Sequence, residues 1–186
     1  PVIGVTGTKG KGTTSTLIYK ILKAGGKNAF LGGNIGESPI DFLDKLGAED
    51  IVVLEMSSFQ LQDLDKSPHM AVFLNTTVDH LDYHADREEY MEAKENLLAH
   101  QSKKCVAVLN KDYPYMKYYL PLVKGKPLMV SAKSDVKDGA FLKDGWIYYS
   151  KKGEKDAIID VKEIGLIGSH NLENAMPAIC IGKEFE

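Results

Sequence analysis

Short apolar runs closed by glycine or a polar residue alternate along the chain with stretches of helical periodicity. Val2 to Val5 is apolar and short, as a buried strand should be. Glycines follow at 7, 10 and 12. From Thr14 to Ala24 the apolar residues Leu17, Ile18, Ile21 and Leu22 recur at i, i+1, i+4 and i+5, which predicts a helix ended by Gly25-Gly26. Asn28 to Leu31 reads as a second strand, Gly32 to Gly36 as a loop and Pro39 to Leu46 as a helix. Ile51 to Met56 is continuously apolar except for Glu55 near its end, the signature of a central parallel strand buried on both faces. Met70 to Leu74 repeats that signature.

The alternation continues with a helix over Arg87 to Gln101, whose apolar positions are Tyr90, Met91, Leu97 and Leu98. A strand over Cys105 to Leu109, a short helix over Tyr113 to Tyr119 and a strand over Leu128 to Ser131 follow. Three short runs then begin at Gly139, Gly145 and Ala157, separated by Lys-Asp-Gly and Lys-Lys-Gly turn signals. They predict a small antiparallel meander near residues 139–161, with the lysines of 151 to 155 in a solvated turn. Asn171 to Ile181 returns to helix. The fold class predicted is α/β, a P-loop-type, mostly parallel sheet flanked by helices.

Composition narrows the function. With 186 residues the chain suits one domain, and with 44% hydrophobic and 26% charged residues it is ordinary globular material. A formal net charge of −3 argues against a nucleic-acid surface. No apolar stretch approaches the roughly 18 residues of a membrane span, and no signal peptide is present, so a cytoplasmic protein is expected. Cys105 and Cys180 each sit in an apolar run and read as reduced core thiols. Pro1 leads directly into a strand with no initiator Met, and the chain stops soon after a helix-like run. A domain of a longer protein is expected.

The chemistry starts at Gly7-Thr8-Lys9-Gly10-Lys11-Gly12-Thr13, between an apolar strand and an amphipathic helix. Backbone N–H groups of such a turn, aided by the helix dipole, make an anion site, and Lys11 adds a charge for the β- and γ-phosphates. The strict P-loop expression requires Gly at position 5 and Ser or Thr at position 12, where this chain has Val5 and Gly12. Thr13 is then the expected Mg²⁺ ligand, with Thr14 in reserve. Gly7, Thr8, Lys9, Gly10, Lys11, Gly12, Thr13 and Thr14 form the expected nucleotide-binding set. Glu55, at the end of a central strand, lies where open parallel sheets bind ligands and could hold Mg²⁺; otherwise it is a surface acid.

Four further segments, in order along the chain, carry a resemblance. They are Gly33-Asn34-Ile35-Gly36, Leu54-Glu55-Met56-Ser57-Ser58-Phe59-Gln60-Leu61, Asn75-Thr76-Thr77-Val78-Asp79-His80-Leu81-Asp82 and Gly168-Ser169-His170-Asn171-Leu172-Glu173-Asn174-Ala175. With the phosphate loop they resemble the Mur ligase superfamily, which joins a carboxylate to an amine at the expense of ATP. The likeness is to a central ATP-binding domain of the D-glutamate-adding branch, spanning residues 1–186, with the flanking UDP-binding and C-terminal domains absent. It implies ATP, two Mg²⁺ ions and the small-molecule substrates UDP-N-acetylmuramoyl-L-alanine and D-glutamate, with no nucleic-acid or membrane partner.

The resemblance also assigns residues. Lys11, Lys94 and His80 would be catalytic; Thr13, Glu55, His80 and a carbamylated Lys94 would serve the metals. Read alone, Lys94 is a surface lysine with a snorkelling stem. Asn34, Ser57, Ser58, Phe59 and Gln60 would contact the acceptor substrate, although the serines and Gln60 also read as a helix N-cap. His170, Asn171 and Asn174 would lie near the adenine, or else form the polar first turn of a helix. Two rivals stand beside this reading. One is a folylpolyglutamate synthase-type ligase, whose loop typically shares the Lys-Gly-hydroxyl order of Lys11-Gly12-Thr13. The other is a non-catalytic nucleotide-binding P-loop module.

Overall fold

The computed structural model describes residues 1–76, 87–165 and 168–186, with the side chains of Arg87 and Ser169 set aside. Among the described residues nine strands form one sheet: β1 (Val2–Thr6), β2 (Ala29–Gly33), β3 (Ile51–Glu55), β4 (Met70–Phe73), β5 (Val106–Asn110), β6 (Lys126–Ser131), β7 (Gly139–Lys143), β8 (Trp146–Lys151) and β9 (Glu154–Asp160). Their spatial order is β2-β3-β1-β4-β5-β6-β7-β8-β9. Pairing is parallel from β2 through to β7 and antiparallel for the last two ladders. The expected parallel sheet and antiparallel meander are both present.

The meander is not a separate appendage. β7 pairs in parallel with β6, aligning Met129 with Gly139, so the hairpins extend the main sheet. Only residues 132–138 connect these parallel strands, far fewer than the dozen or more a crossover usually takes. Gly139 permits it: its φ is +129°, and a Cβ there would fall on the Met129 carbonyl oxygen. The hairpin turns use Asp144-Gly145 and Lys152-Gly153, all with positive φ, as two-residue turns between twisted strands require.

Helices cover both faces. Along β4 and β5 the side chains alternate. Val72 and Val108 join one apolar cluster; Ala71, Phe73, Ala107 and Leu109 join the other. The first cluster is closed by α1 (Lys11–Ala24) and α6 (Ser169–Lys183), through Ile18, Leu22, Met176 and Ile181. The second is closed by α3 (Ser58–Gln62), α4 (Arg87–Ala99) and α5 (Met116–Tyr119), through Leu61, Leu97, Leu98 and Tyr119. The two-residue alternation explains why the strands read as unbroken apolar runs.

Several boundaries differ from expectation. α1 begins at Lys11, three residues early, because the phosphate loop itself turns into the helix. The helix expected over 39–46 is α2 (Pro39–Phe42) followed by a 3₁₀ turn over residues 43–45. Cys180 is fully buried, but Cys105 lies one residue before β5 and is only half-buried, its Sγ accepting a hydrogen bond from the Ser102 amide (3.4 Å). Among the described residues no helix is long and apolar enough to cross a membrane.

Candidate active site

Parallel strands place their C-terminal ends on one edge, and register decides which residues meet there. Val5 aligns with Glu55, Gly33 with Glu55, Thr6 with Phe73 and Phe73 with Leu109. The loops after β1, β2, β3, β4 and β5 therefore share a rim. The chain passes from β1 leftward to β2 and later rightward to β4, so this rim includes the switch point where open α/β sheets bind ligands.

The loop after β1 is tied down on all sides. The Thr8 amide donates to the Asn75 carbonyl (2.7 Å), the Leu74 amide to the Thr6 carbonyl (2.9 Å) and the Thr6 hydroxyl to the Met56 carbonyl (3.0 Å). Gly10 stands at the N-cap of α1 with φ +85°, and a Cβ there would fall on the Asn174 side chain. No side chain caps α1 and no acid occupies its first turn. The helix thus presents its first N–H groups and positive dipole end to the rim, as anion binding requires. Lys11 folds back to donate to the Thr8 carbonyl (3.1 Å).

Glu55 is 6% exposed and faces Gly12: a Cβ on Gly12 would stand 3.3 Å from Glu55 Oε2. Burial raises the Glu55 pKa, and the Lys11 ammonium partly offsets the rise. A buried carboxylate is either paired with a cation or neutralised by a proton. Among the described residues no cluster of three or more His, Cys, Asp or Glu exists. The buried Glu55 carboxylate facing the start of α1 is a hard oxygen donor of the kind Mg²⁺ prefers, with phosphate oxygens and water to complete its coordination. Thr14, the reserve ligand, is fully buried, and its hydroxyl donates to the Asn174 carbonyl (3.2 Å), so its proton is committed to α6.

Lys94 is not a surface lysine. It is 1% exposed, and its Nζ donates to the Thr6 hydroxyl (3.3 Å) and the Gly7 carbonyl (3.5 Å) while lying 4.6 Å from the Tyr90 ring centroid. The Tyr90 hydroxyl meets the Thr8 hydroxyl at 3.1 Å. One face of α4, through residues four apart, therefore contacts the phosphate loop twice. Tyr90 was expected only as an apolar helix position; its i, i+4 spacing to Lys94 was the available signal. His80 lies outside the described residues.

Ser57 and Gln60 form a complete capping box at the start of α3: the Ser57 amide donates to Gln60 Oε1 (2.9 Å) and the Gln60 amide to Ser57 Oγ (3.3 Å). Ser58 is buried, whereas Phe59 is 40% exposed. Asn34 is exposed on the rim, its amide donating to the Glu55 carbonyl (3.0 Å).

Beside the loop lies a cavity of about 180 Å³, lined by Lys9, Gly10, Leu74, Asn75, Asn110, Tyr113, His170, Glu173, Asn174 and Pro177. Asn174 Nδ2 donates to Asn171 Oδ1 (3.1 Å), and the Tyr113 hydroxyl donates to the Glu173 carboxylate. His170 and Asn174 line this cavity, and Asn171 braces Asn174. Asn110 and Tyr113 were not expected there, since about 60 residues separate them from α6 and leave no local signal; Glu173 stood in the quoted 168–175 segment without an assigned role. A larger cavity of about 680 Å³ between α1, α6 and β9 is apolar and shares no lining residue with the phosphate loop.

The family model for the Mur ligase middle domain matches residues 5–182. The chain is 41% identical over 181 residues to the UDP-N-acetylmuramoylalanine–D-glutamate ligase of Symbiobacterium thermophilum, covering 96% of this chain and 40% of that protein. It is 40% identical over 184 residues to the ligase of the same name from Streptococcus equi subsp. zooepidemicus, covering 98% and 40% respectively. Among solved structures it resembles a UDP-N-acetylmuramoyl-L-alanyl-D-glutamate–2,6-diaminopimelate ligase, with TM-score 0.76 and 25% identity over 99% of this chain and 43% of that one. It also resembles the MurF ligase of Thermotoga maritima in complex with ADP, with TM-score 0.71 and 25% identity, covering 99% and 45%. The chain spans 40% of the length of the curated relatives it matches.

Proposed function

The chain belongs to the Mur ligase family, and from that premise we propose that it is the central, ATP-binding domain of a ligase that adds D-glutamate to UDP-N-acetylmuramoyl-L-alanine. The observation that carries the reading is the convergence of an uncapped helix N-terminus, a buried carboxylate and a buried lysine around one loop. The curated relatives named above, D-glutamate ligases at 40–41% identity, support the substrate pair.

In this reading the carboxylate of the muramoyl-alanine substrate attacks the γ-phosphate of ATP, and the resulting acyl phosphate is opened by the amine of D-glutamate. Loop amides up to Gly12, other than that of Thr8, which is given to the Asn75 carbonyl, hold the phosphates. Lys11 releases the Thr8 carbonyl to neutralise charge on the transferring group. Such reactions depend on positioning and charge stabilisation more than on covalent help from the protein. Glu55 and Thr13 would hold one Mg²⁺, and His80 with a carbamylated Lys94 a second; bound there, the ions supply charge neutralisation. A buried lysine amine, more easily held neutral than an exposed one, suits carbamylation. Asn34 and Phe59, both exposed on the rim, are available to the acceptor substrate, whereas Ser57 and Gln60 first serve α3.

The test is phosphate release by the full-length protein supplied with Mg-ATP. Release should require both D-glutamate and the muramoyl nucleotide. Turnover with a folate acceptor, and none with the muramoyl nucleotide, would overturn the assignment in favour of the folylpolyglutamate type. Equilibrium dialysis with ATP and Mg²⁺ addresses the non-catalytic alternative: binding indifferent to Glu55→Ala would favour a simple nucleotide module. The 186 residues alone should form little or no amide.

A further inference from the structure

The phosphate and metal chemistry draws on Lys94 and the loop, and leaves unused the buried side chain that touches both. Tyr90, on α4, is 1% exposed. A phenol hydroxyl taken out of water costs free energy unless it is hydrogen-bonded, and phenylalanine would fill the same space without that cost. Here the hydroxyl meets the Thr8 hydroxyl at 3.1 Å, in the turn between β1 and α1. The ring centroid lies 4.6 Å from Lys94 Nζ.

We propose that Tyr90 is a positioning residue for phosphoryl transfer, its hydroxyl fixing the phosphate loop against α4 through Thr8. The inference rests on the reading of this loop as an ATP site. Three successive residues are held from the one helix: Lys94 Nζ donates to the Thr6 hydroxyl and the Gly7 carbonyl, and Tyr90 takes the next residue, Thr8. On its other side the Thr8 amide donates to the Asn75 carbonyl (2.7 Å), beyond the end of β4. Thr8 is thus gripped between α4 and the segment after β4. Glycines at 7, 10 and 12 give the loop little stiffness of its own, so its place depends on such bonds.

Thr8 also carries the carbonyl that accepts Lys11 Nζ at 3.1 Å. The Tyr90 hydroxyl therefore fixes the residue from which Lys11 departs, and its ring borders Lys94. Loosening Thr8 leaves the other loop amides able to bind phosphate, but lets the bound group sit off line. A small misplacement of that kind is felt in the transition state far more than in binding, so its cost falls on kcat rather than on KM.

The test is ATP-dependent phosphate release by the full-length protein with both substrates present. Tyr90→Phe keeps the ring and removes the hydroxyl. It should lower kcat by about tenfold, with KM for ATP and the thermal midpoint little changed. Thr8→Val removes the other hydroxyl at equal size and should lower kcat similarly; if Tyr90→Phe fails to fold, this variant carries the same test from the loop side. The double variant should be no worse than the worse single one, as for two ends of one contact. Wild-type kcat in Tyr90→Phe overturns the proposal by reducing Tyr90 to a packing residue. Losses that multiply in the double variant, or a loss confined to KM or to thermal stability, overturn it too. A wild type that releases no phosphate with both substrates marks a different failure, that of the underlying ligase reading, and the inference falls with it.

Discussion

Gly12 lies directly beneath the carboxylate of Glu55. A Cβ on Gly12 would stand 3.3 Å from Glu55 Oε2, closer than ordinary van der Waals contact, with Ile35 Cγ2 at 3.7 Å on another side. The Ser or Thr that the strict loop pattern wants at this position would crowd the acid. In this chain the carboxylate occupies the space that a side chain would otherwise take.

Gly12→Ala tests that relationship. The backbone there is helical, so alanine adds up to about 1 kcal/mol of helix propensity, but it must push Glu55 by a few tenths of an ångström. Thermal stability should hold or rise slightly, while the Mg²⁺ concentration needed for half-maximal ATP-dependent turnover should increase several-fold. A Mg²⁺ titration identical to wild type would show that Glu55 does not serve the metal.

Lys94→Met keeps the length of a buried stem and removes its polar head. The loss of hydrogen bonds to Thr6 and Gly7 is offset by the release of a buried amine from its desolvation cost, so stability should change by no more than about 1–2 kcal/mol. Ligase activity should fall by orders of magnitude. A folded, active Lys94→Met protein would reduce Lys94 to a packing residue.

Asp50 supplies an acid-range prediction. Its carboxylate accepts the Gly47 amide and the Asn28 side chain, both at 2.8 Å, and the Gly47 bond foremost holds its pKa below the ordinary aspartate value. A folded pKa below the unfolded one adds stability that is fully present above the unfolded value, about 3.9, and is lost as pH falls through the folded value. Asp50→Asn should therefore be less stable than wild type at neutral pH, with the gap closing below about pH 3.9. A gap that stays constant across the acid range would refute this.

The two thiols should separate kinetically. Cys180 has no exposed surface and burial raises its pKa, while Cys105 is half-buried at the surface. With a disulfide reagent on the native protein, one thiol should react promptly and the other only as fast as the fold opens. Cys105→Ser should remove the prompt phase; prompt reaction surviving in that variant would contradict the buried placement of Cys180.

Much of this molecule was legible in the residues because local patterns and global burial agree. The strands read as continuous apolar runs since helices cover both faces of the sheet, and Asp144-Gly145 and Lys152-Gly153 announced their hairpins through residues that tolerate positive φ. The loop announced itself through glycine spacing. β9 was displaced by three residues at its start because its first half, Glu154 to Asp156, is a polar edge that carries no apolar period. Cys105 looked like a core residue from its apolar neighbours, but those neighbours belong to a strand it precedes.

By itself the sequence determined most of the element order, the glycine-rich loop between β1 and α1, the candidate acid and the family likeness, because each depends on residues close together in the chain. Only the tertiary structure decided what meets at the rim. It buried Lys94 and seated Tyr90 on Thr8, both through the packing of α4. It paired Tyr113 with Glu173, set Asn174 against Gly10 and made β7 a parallel neighbour of β6. These contacts join residues ten to 164 positions apart, where no periodicity reaches, and they exist only because a parallel sheet brings all its C-terminal ends to one edge.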